Sequence, residues 1–140
     1  MGTHGPRPQM KGVDTNVVLR FLVNDDPAQT NTAAHVIQTA TRERTPLFIS
    51  LPVICEIAWV LGSSYRQPRQ IVAEGLQALL DSYAFEIESE KYVIEGLHRY
   101  REGRADFADY LIGILAREHG CDAVFTFDRR LRGAPEFRLL

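Results

Sequence analysis

The sequence predicts an α/β fold, a three-layer α/β/α sandwich around a central, mostly parallel sheet of four to five strands. Three observations predict it. Short apolar runs of strand length recur along the chain. Longer segments of helical period separate those runs, which implies parallel pairing with helices on both faces. The 140 residues, 45% hydrophobic and 24% charged, suffice for one domain with a real core and are too few for two of ordinary size.

Residues 10–140 read as that domain, and residues 1–9, with two prolines and no apolar periodicity, as a disordered N-terminal extension. Met10 to Asp14 is the first strand. Asn16 then caps a helix through Val17, Val18, Leu19, Phe21 and Leu22. Asn24-Asp25-Asp26 makes a turn, and Pro27 occupies the first position of a helix carrying Ala33, Ala34, Ile37 and Ala40 to near Arg44. Pro46 to Ser50 is a buried strand. Pro52 starts the next helix, which carries Glu56 and ends near Gly62-Ser63-Ser64.

Gln67-Pro68 opens a helix with Ile71, Val72, Leu76, Leu79 and Leu80 on one face. Ala84 to Glu88 alternates as a strand, Phe85 and Ile87 against Glu86 and Glu88. Glu90 to Arg101 is helical, with Val93, Ile94 and Leu97 inward. Asp106 to His119 is helical and closed by Gly120. Ala123 to Phe127 is a fourth strand, and Phe137 to Leu139 a short last one.

Charge and cysteine content narrow the function classes. A formal charge of −2 argues against binding nucleic acid through bulk positive charge. Fourteen of the 16 basic residues are arginines, suited to bidentate phosphate contacts, although codon composition produces the same bias. Cys55 and Cys121 show no metal-like spacing and read as reduced core thiols of a cytoplasmic protein. No stretch approaches the ~20 apolar residues of a membrane span, so no membrane partner is expected. The four histidines, His4, His35, His98 and His119, read as structural or solvent-facing.

The informative residues are acids in costly places. Asp14 and Asp128 close strands, and in parallel sheets sites form beyond the carboxyl ends of strands. Glu56 interrupts an apolar run, so its face is expected to be at least half buried. Asp106 and Asp109 stand one helical turn apart, a mildly repulsive pair that asks for a cation. Each has a plainer reading. Asp14 suits a capping turn, Glu56 an arginine partner, Asp106 an N-cap, and Asp128 a cap on the following turn. Jointly they point to a divalent ion with oxygen-only ligands, Mg²⁺ or Mn²⁺ over zinc.

Val13-Asp14-Thr15-Asn16, Glu56 in the second helical block, Asp106-Phe107-Ala108-Asp109-Tyr110-Leu111-Ile112 and Thr126-Phe127-Asp128 resemble the ordered acidic motifs of PIN domains. Within that superfamily the chain looks most like VapC-type toxins, over Met10 to Leu140. The resemblance implies a Mg²⁺- or Mn²⁺-dependent endoribonuclease acting on RNA, neutralised by a cognate antitoxin and commonly a homodimer. It carries catalytic roles onto Asp14, Glu56, Asp109 and Asp128. Asp14, Asp106 and Asp109 become the metal ligands, and Thr15, Asn16 and Thr126 their supporting hydrogen-bonding neighbours. An apolar groove between the Ala33–Ala40 and Ile71–Leu80 helices is a candidate seat for an antitoxin helix, although the same residues also read as core.

Other classes fit less well. A non-toxin PIN nuclease in RNA processing would look much the same, and a PIN-fold interaction module without activity would have little use for five intact acids. A haloacid-dehalogenase phosphatase needs a second acid where Asn16 stands. A response-regulator receiver needs a late lysine, and no lysine follows Lys91. Arg129 and Arg130 read as a solvated pair more readily than as a contact to the RNA backbone.

Overall fold

A carboxylate starts the first helix of the computed structural model, which describes residues 9–140. Asp14 accepts from the Val17 backbone N–H at 3.2 Å, and α1 runs Thr15–Leu22. The cap is therefore Asp14 and not Asn16. Thr15 belongs to the buried stripe with Val18 and Leu19, so the helix must begin before Asn16. Of the extension expected over residues 1–9, all but Gln9 lies outside the described residues.

Asp26 caps α2 (Pro27–Glu43), with Pro27 in its first turn as the sequence implies. Then follow β1 (Leu47–Ile49), α3 (Leu51–Ser63), α4 (Arg69–Asp81), β2 (Phe85–Ile87), α5 (Glu90–Glu102) and α6 (Phe107–Glu118). The last elements are β3 (Val124–Thr126), a 3₁₀ turn over Arg129–Leu131, and β4 (Phe137–Leu139). Gly120 ends α6 as expected, at a φ of 100° that a side chain would resist.

The fold is α/β and every strand pairing is parallel, β1 with β2 and β3 with β4. The expected sheet of four to five strands is fragmented. Among the described residues these pairs form two separate two-stranded sheets. The expected first strand contracts to one bridge on β1, where Val13 N–H donates to the Phe48 carbonyl at 3.0 Å and Phe48 N–H to that of Lys11 at 2.8 Å. Three-residue strands make few ladder bonds, so cohesion falls to helix packing. α3 packs against α1, α4 and α6, and α5 against α4 and α6. Ile49, Ile54, Ile57, Leu76, Leu79, Phe107 and Ile114 are fully buried between these elements.

Periodicity placed most faces correctly. Phe85 and Ile87 are buried while Glu86 and Glu88 are exposed. On α5, Val93 and Leu97 point inward, but Ile94 is 52% exposed because the buried stripe continues through Gly96 and Tyr100. Both cysteines are free; Cys55 is half-buried and Cys121 is exposed, so only the first approaches the expected core position. His35, His98 and His119 are exposed, and His4 lies outside the described residues. No helix of the described residues is long and apolar enough to cross a membrane.

Candidate metal centre

The segment that launches α6 is anchored before its acids appear. The Arg69 guanidinium donates to the carbonyls of Tyr100 at 2.6 Å and Ala105 at 2.8 Å, and lies 3.9 Å over the Tyr100 ring. The Tyr110 hydroxyl accepts from the backbone N–H groups of Arg104 at 3.0 Å and Ala105 at 3.2 Å. Gly103 makes room for it, since a Cβ there would fall 1.8 Å from the same hydroxyl oxygen. Asp106 follows at the N-cap, and the Asp109 carboxylate reaches back to accept from its backbone N–H at 3.1 Å. The expected N-cap role of Asp106 is thus present.

A prediction arises here. Tyr110→Phe removes the acceptor from two N–H groups, one of them on the fully buried Ala105. Unfolding stability should fall by about 1–2 kcal/mol in a denaturant titration. An unchanged midpoint would mean that water substitutes for the hydroxyl.

Asp128 approaches from the other side. The Thr126 hydroxyl accepts from its backbone N–H at 3.0 Å, and its own carboxylate caps the 3₁₀ turn through the Arg130 N–H at 2.9 Å. The same carboxylate takes the Arg130 side chain, with Nη2 at 2.7 Å and Nε at 3.0 Å and 3.1 Å. That guanidinium also stands 3.6 Å from Asp106 and 3.6 Å from Asp109. Three carboxylates from two elements therefore surround one positive group.

The electrostatics follow from this arrangement. Partial burial raises the Asp109 carboxyl above its ordinary value, and the nearby Asp106 and Asp128 charges push the same way against the Asp106 N–H and Arg130. The Arg130 hydrogen bonds hold Asp128 below its ordinary value. Beside Asp106 and Asp109 opens a cavity of about 340 Å³, walled by Cys55, Trp59 and Ser63 of α3 and floored by Arg69 and Tyr100.

The other two acids form no ion pair with Arg130. Asp14 is exposed and lines a different groove of about 580 Å³, with Asn16 and Arg20 of α1 and Ala33 and Val36 of α2. Thr15, expected beside it, is buried. Glu56 is exposed, contrary to the expected half-buried face. The buried stripe of α3 is Ile54, Ile57, Ala58 and Leu61, and at about 100° per residue Glu56 falls on its far side. The groove expected between α2 and α4 is not formed by the residues named for it. Ala33, Ala40, Val72, Leu76 and Leu79 are core, and the open groove lies between α1 and α2.

Arg130 is exposed beside Arg129, as expected, but sequence reasoning missed its ion pairs with three acids. Its position two residues after Asp128, on the turn that acid caps, was the available signal. Among the described residues no three carboxylates, imidazoles or thiols converge at ligand spacing. The donor chemistry, oxygen only and gathered about one positive charge, fits a hard divalent ion. The spacing as it stands fits a guanidinium.

The PIN domain family model matches residues 12–136, a span containing all five acids. A VapC ribonuclease of Aquifex aeolicus (strain VF5) is 26% identical over 123 residues, covering 88% of this chain and 90% of that protein.

Proposed function

The chain belongs to the PIN-domain family, and on that premise we propose that it is a Mg²⁺- or Mn²⁺-dependent endoribonuclease, the toxin of a VapBC-type pair. The observation that carries this reading is the gathering of Asp106, Asp109 and Asp128 about one positive charge, the Arg130 guanidinium. The similarity to a VapC ribonuclease along most of both chains supports the same activity.

In this reading Asp14, Asp106 and Asp109 hold the ion, and Asp128 orients its surroundings. Bound there, a divalent ion supplies charge neutralisation and an acidified water, both of which phosphodiester hydrolysis demands. The chain's own contribution is positional. The Asp106 N–H fixes the Asp109 carboxylate, and the Thr126 hydroxyl fixes the backbone of Asp128. Thr15 and Asn16 flank Asp14 at the start of α1. Glu56 lies on α3 about one turn before Trp59 and two before Ser63, which wall the cavity beside Asp106 and Asp109. A cognate antitoxin, a homodimeric state and a cytoplasmic location complete the proposal, and a small co-purifying protein that silences the chain would identify the antitoxin.

The direct test is cleavage of a labelled RNA by the chain freed of any partner, with Mg²⁺ or Mn²⁺ and with EDTA. Cutting that stops on chelation is the expected result. Cutting that survives chelation, or none with either ion, would sink the reading.

Arg130 supplies a second measurement. Its guanidinium competes for the acids, so Arg130→Met should tighten Mn²⁺ binding several-fold in a calorimetric titration. Weaker binding in that variant would mean that the arginine organises the carboxylates and does not compete for them.

A further inference from the structure

We infer that Phe125, Phe127 and Arg138 form a stacking platform for the bases of single-stranded RNA, leading the strand toward the acidic centre; this rests on the ribonuclease reading above. Phe125 lies on β3 and Phe127 one residue past its end, two positions further along the chain. They are 62% and 81% exposed. Two bare phenylalanine rings this close in the chain forgo the stabilisation that burial would give. Core packing gives no reason for either.

The surroundings choose the ligand. Arg138 is the register partner of Phe125 on β4, and its guanidinium lies 5.8 Å from the ring centroid. Arg129 and Arg132 are exposed just beyond. Asp128 is held by Arg130 and buried Glu136 by Arg99, while Asp122, before β3, forms no ion pair among the described residues. What remains open is an aromatic surface rimmed by unneutralised arginine, the combination that takes stacked bases and their phosphates. A purely apolar partner would leave that positive charge unmatched. The platform is also continuous with the site, since Phe127 immediately precedes Asp128.

The test uses the full chain in EDTA with a short fluorescein-labelled single-stranded RNA, and a second copy of that RNA carrying 2-aminopurine. Phe127→Ala should weaken binding by about fivefold to a hundredfold, and should lose the stacking-dependent quench of 2-aminopurine. Phe127→Trp should retain both. Arg138→Gln should lower the slope of log affinity against log salt by about one. Because the Phe127 ring is so exposed, the melting temperature of the alanine variant should match the parent.

RNA affinity unchanged from the parent in both Phe125→Ala and Phe127→Ala would overturn the platform. So would a shift from dimer to monomer in Phe127→Ala with RNA affinity unchanged, since that assigns the face to a second copy of the chain. Cleavage by the parent in Mg²⁺ separates the two levels. A parent that neither binds nor cuts RNA removes the ribonuclease reading and the platform together. A parent that cuts, beside a Phe127→Ala variant with unchanged KM, removes the platform alone.

Discussion

Asp109→Asn should lower RNA cleavage by on the order of a hundredfold or more while leaving the fold intact. The two effects separate because the side chain does two jobs. As an acceptor it takes the Asp106 N–H at 3.1 Å, and an amide oxygen can do the same. As a charge it is the acid whose ionisation the structure already resists, through burial and through the carboxylates of Asp106 and Asp128. The Asp106 N–H and Arg130 offset part of that resistance, and a cation bound there would offset more. Asparagine keeps the helix start and removes the charge, so circular dichroism and melting should be unchanged. Asp14→Asn is the companion, chosen over alanine because asparagine also serves as an N-cap. A drop of less than tenfold in both variants, at saturating metal, would sink the assignment of the centre to these acids.

The largest stability effect is expected at Glu136, far from that chemistry. Its side chain is only 7% exposed and is held by Arg99 at 2.6 Å and 2.8 Å and by Arg117 at 3.3 Å, with Glu95 bridging the two arginines. Removing one partner of such a cluster strands the others, so Glu136→Gln should cost about 3 kcal/mol and lower the melting temperature by roughly 10 °C. Glu136 also leads into β4, with its carbonyl accepting from the Val124 N–H at 2.8 Å. The loss should therefore loosen the strand that presents Asp128.

The pH dependence has a definite sign. The Arg99 hydrogen bonds hold the folded Glu136 carboxyl below its ordinary value of 4.5, and Arg117 does the same to Glu95. Each contribution is complete above that ordinary value and is lost as pH falls through the lowered folded one. Parent and Glu136→Gln stabilities should therefore converge as acid is added below about pH 4.5. A gap that stays constant on acidification would show that packing, and not charge, carries the cost.

Local chemistry was readable along the chain. Pro27 in a first helical turn, Gly120 past a last one, and Asp106 with Asp109 at a helix start all followed from spacing alone, because each is decided within about one turn of backbone. The outward face of Glu56 needed the full buried stripe of α3, of which an apolar run gives no hint. The cap at Asp14 turned on the burial of Thr15, a polar residue that hydropathy discounts. Arg130 was legible as a charge and illegible as a partner, since its three acids come from segments about twenty residues away and beside it.

By itself, then, the sequence determined the order of helices and parallel strands and which residues are acidic at their ends, because periodicity, caps and turns are short-range properties. Only the tertiary structure decided which of those acids meet. Packing of α6 against α3 and α5, and the turn after β3, draw Asp106, Asp109 and Asp128 around one guanidinium, with which Asp14 and Glu56 form no ion pair. Coulomb interactions act through space within a few ångströms, and no pattern along the chain encodes those distances.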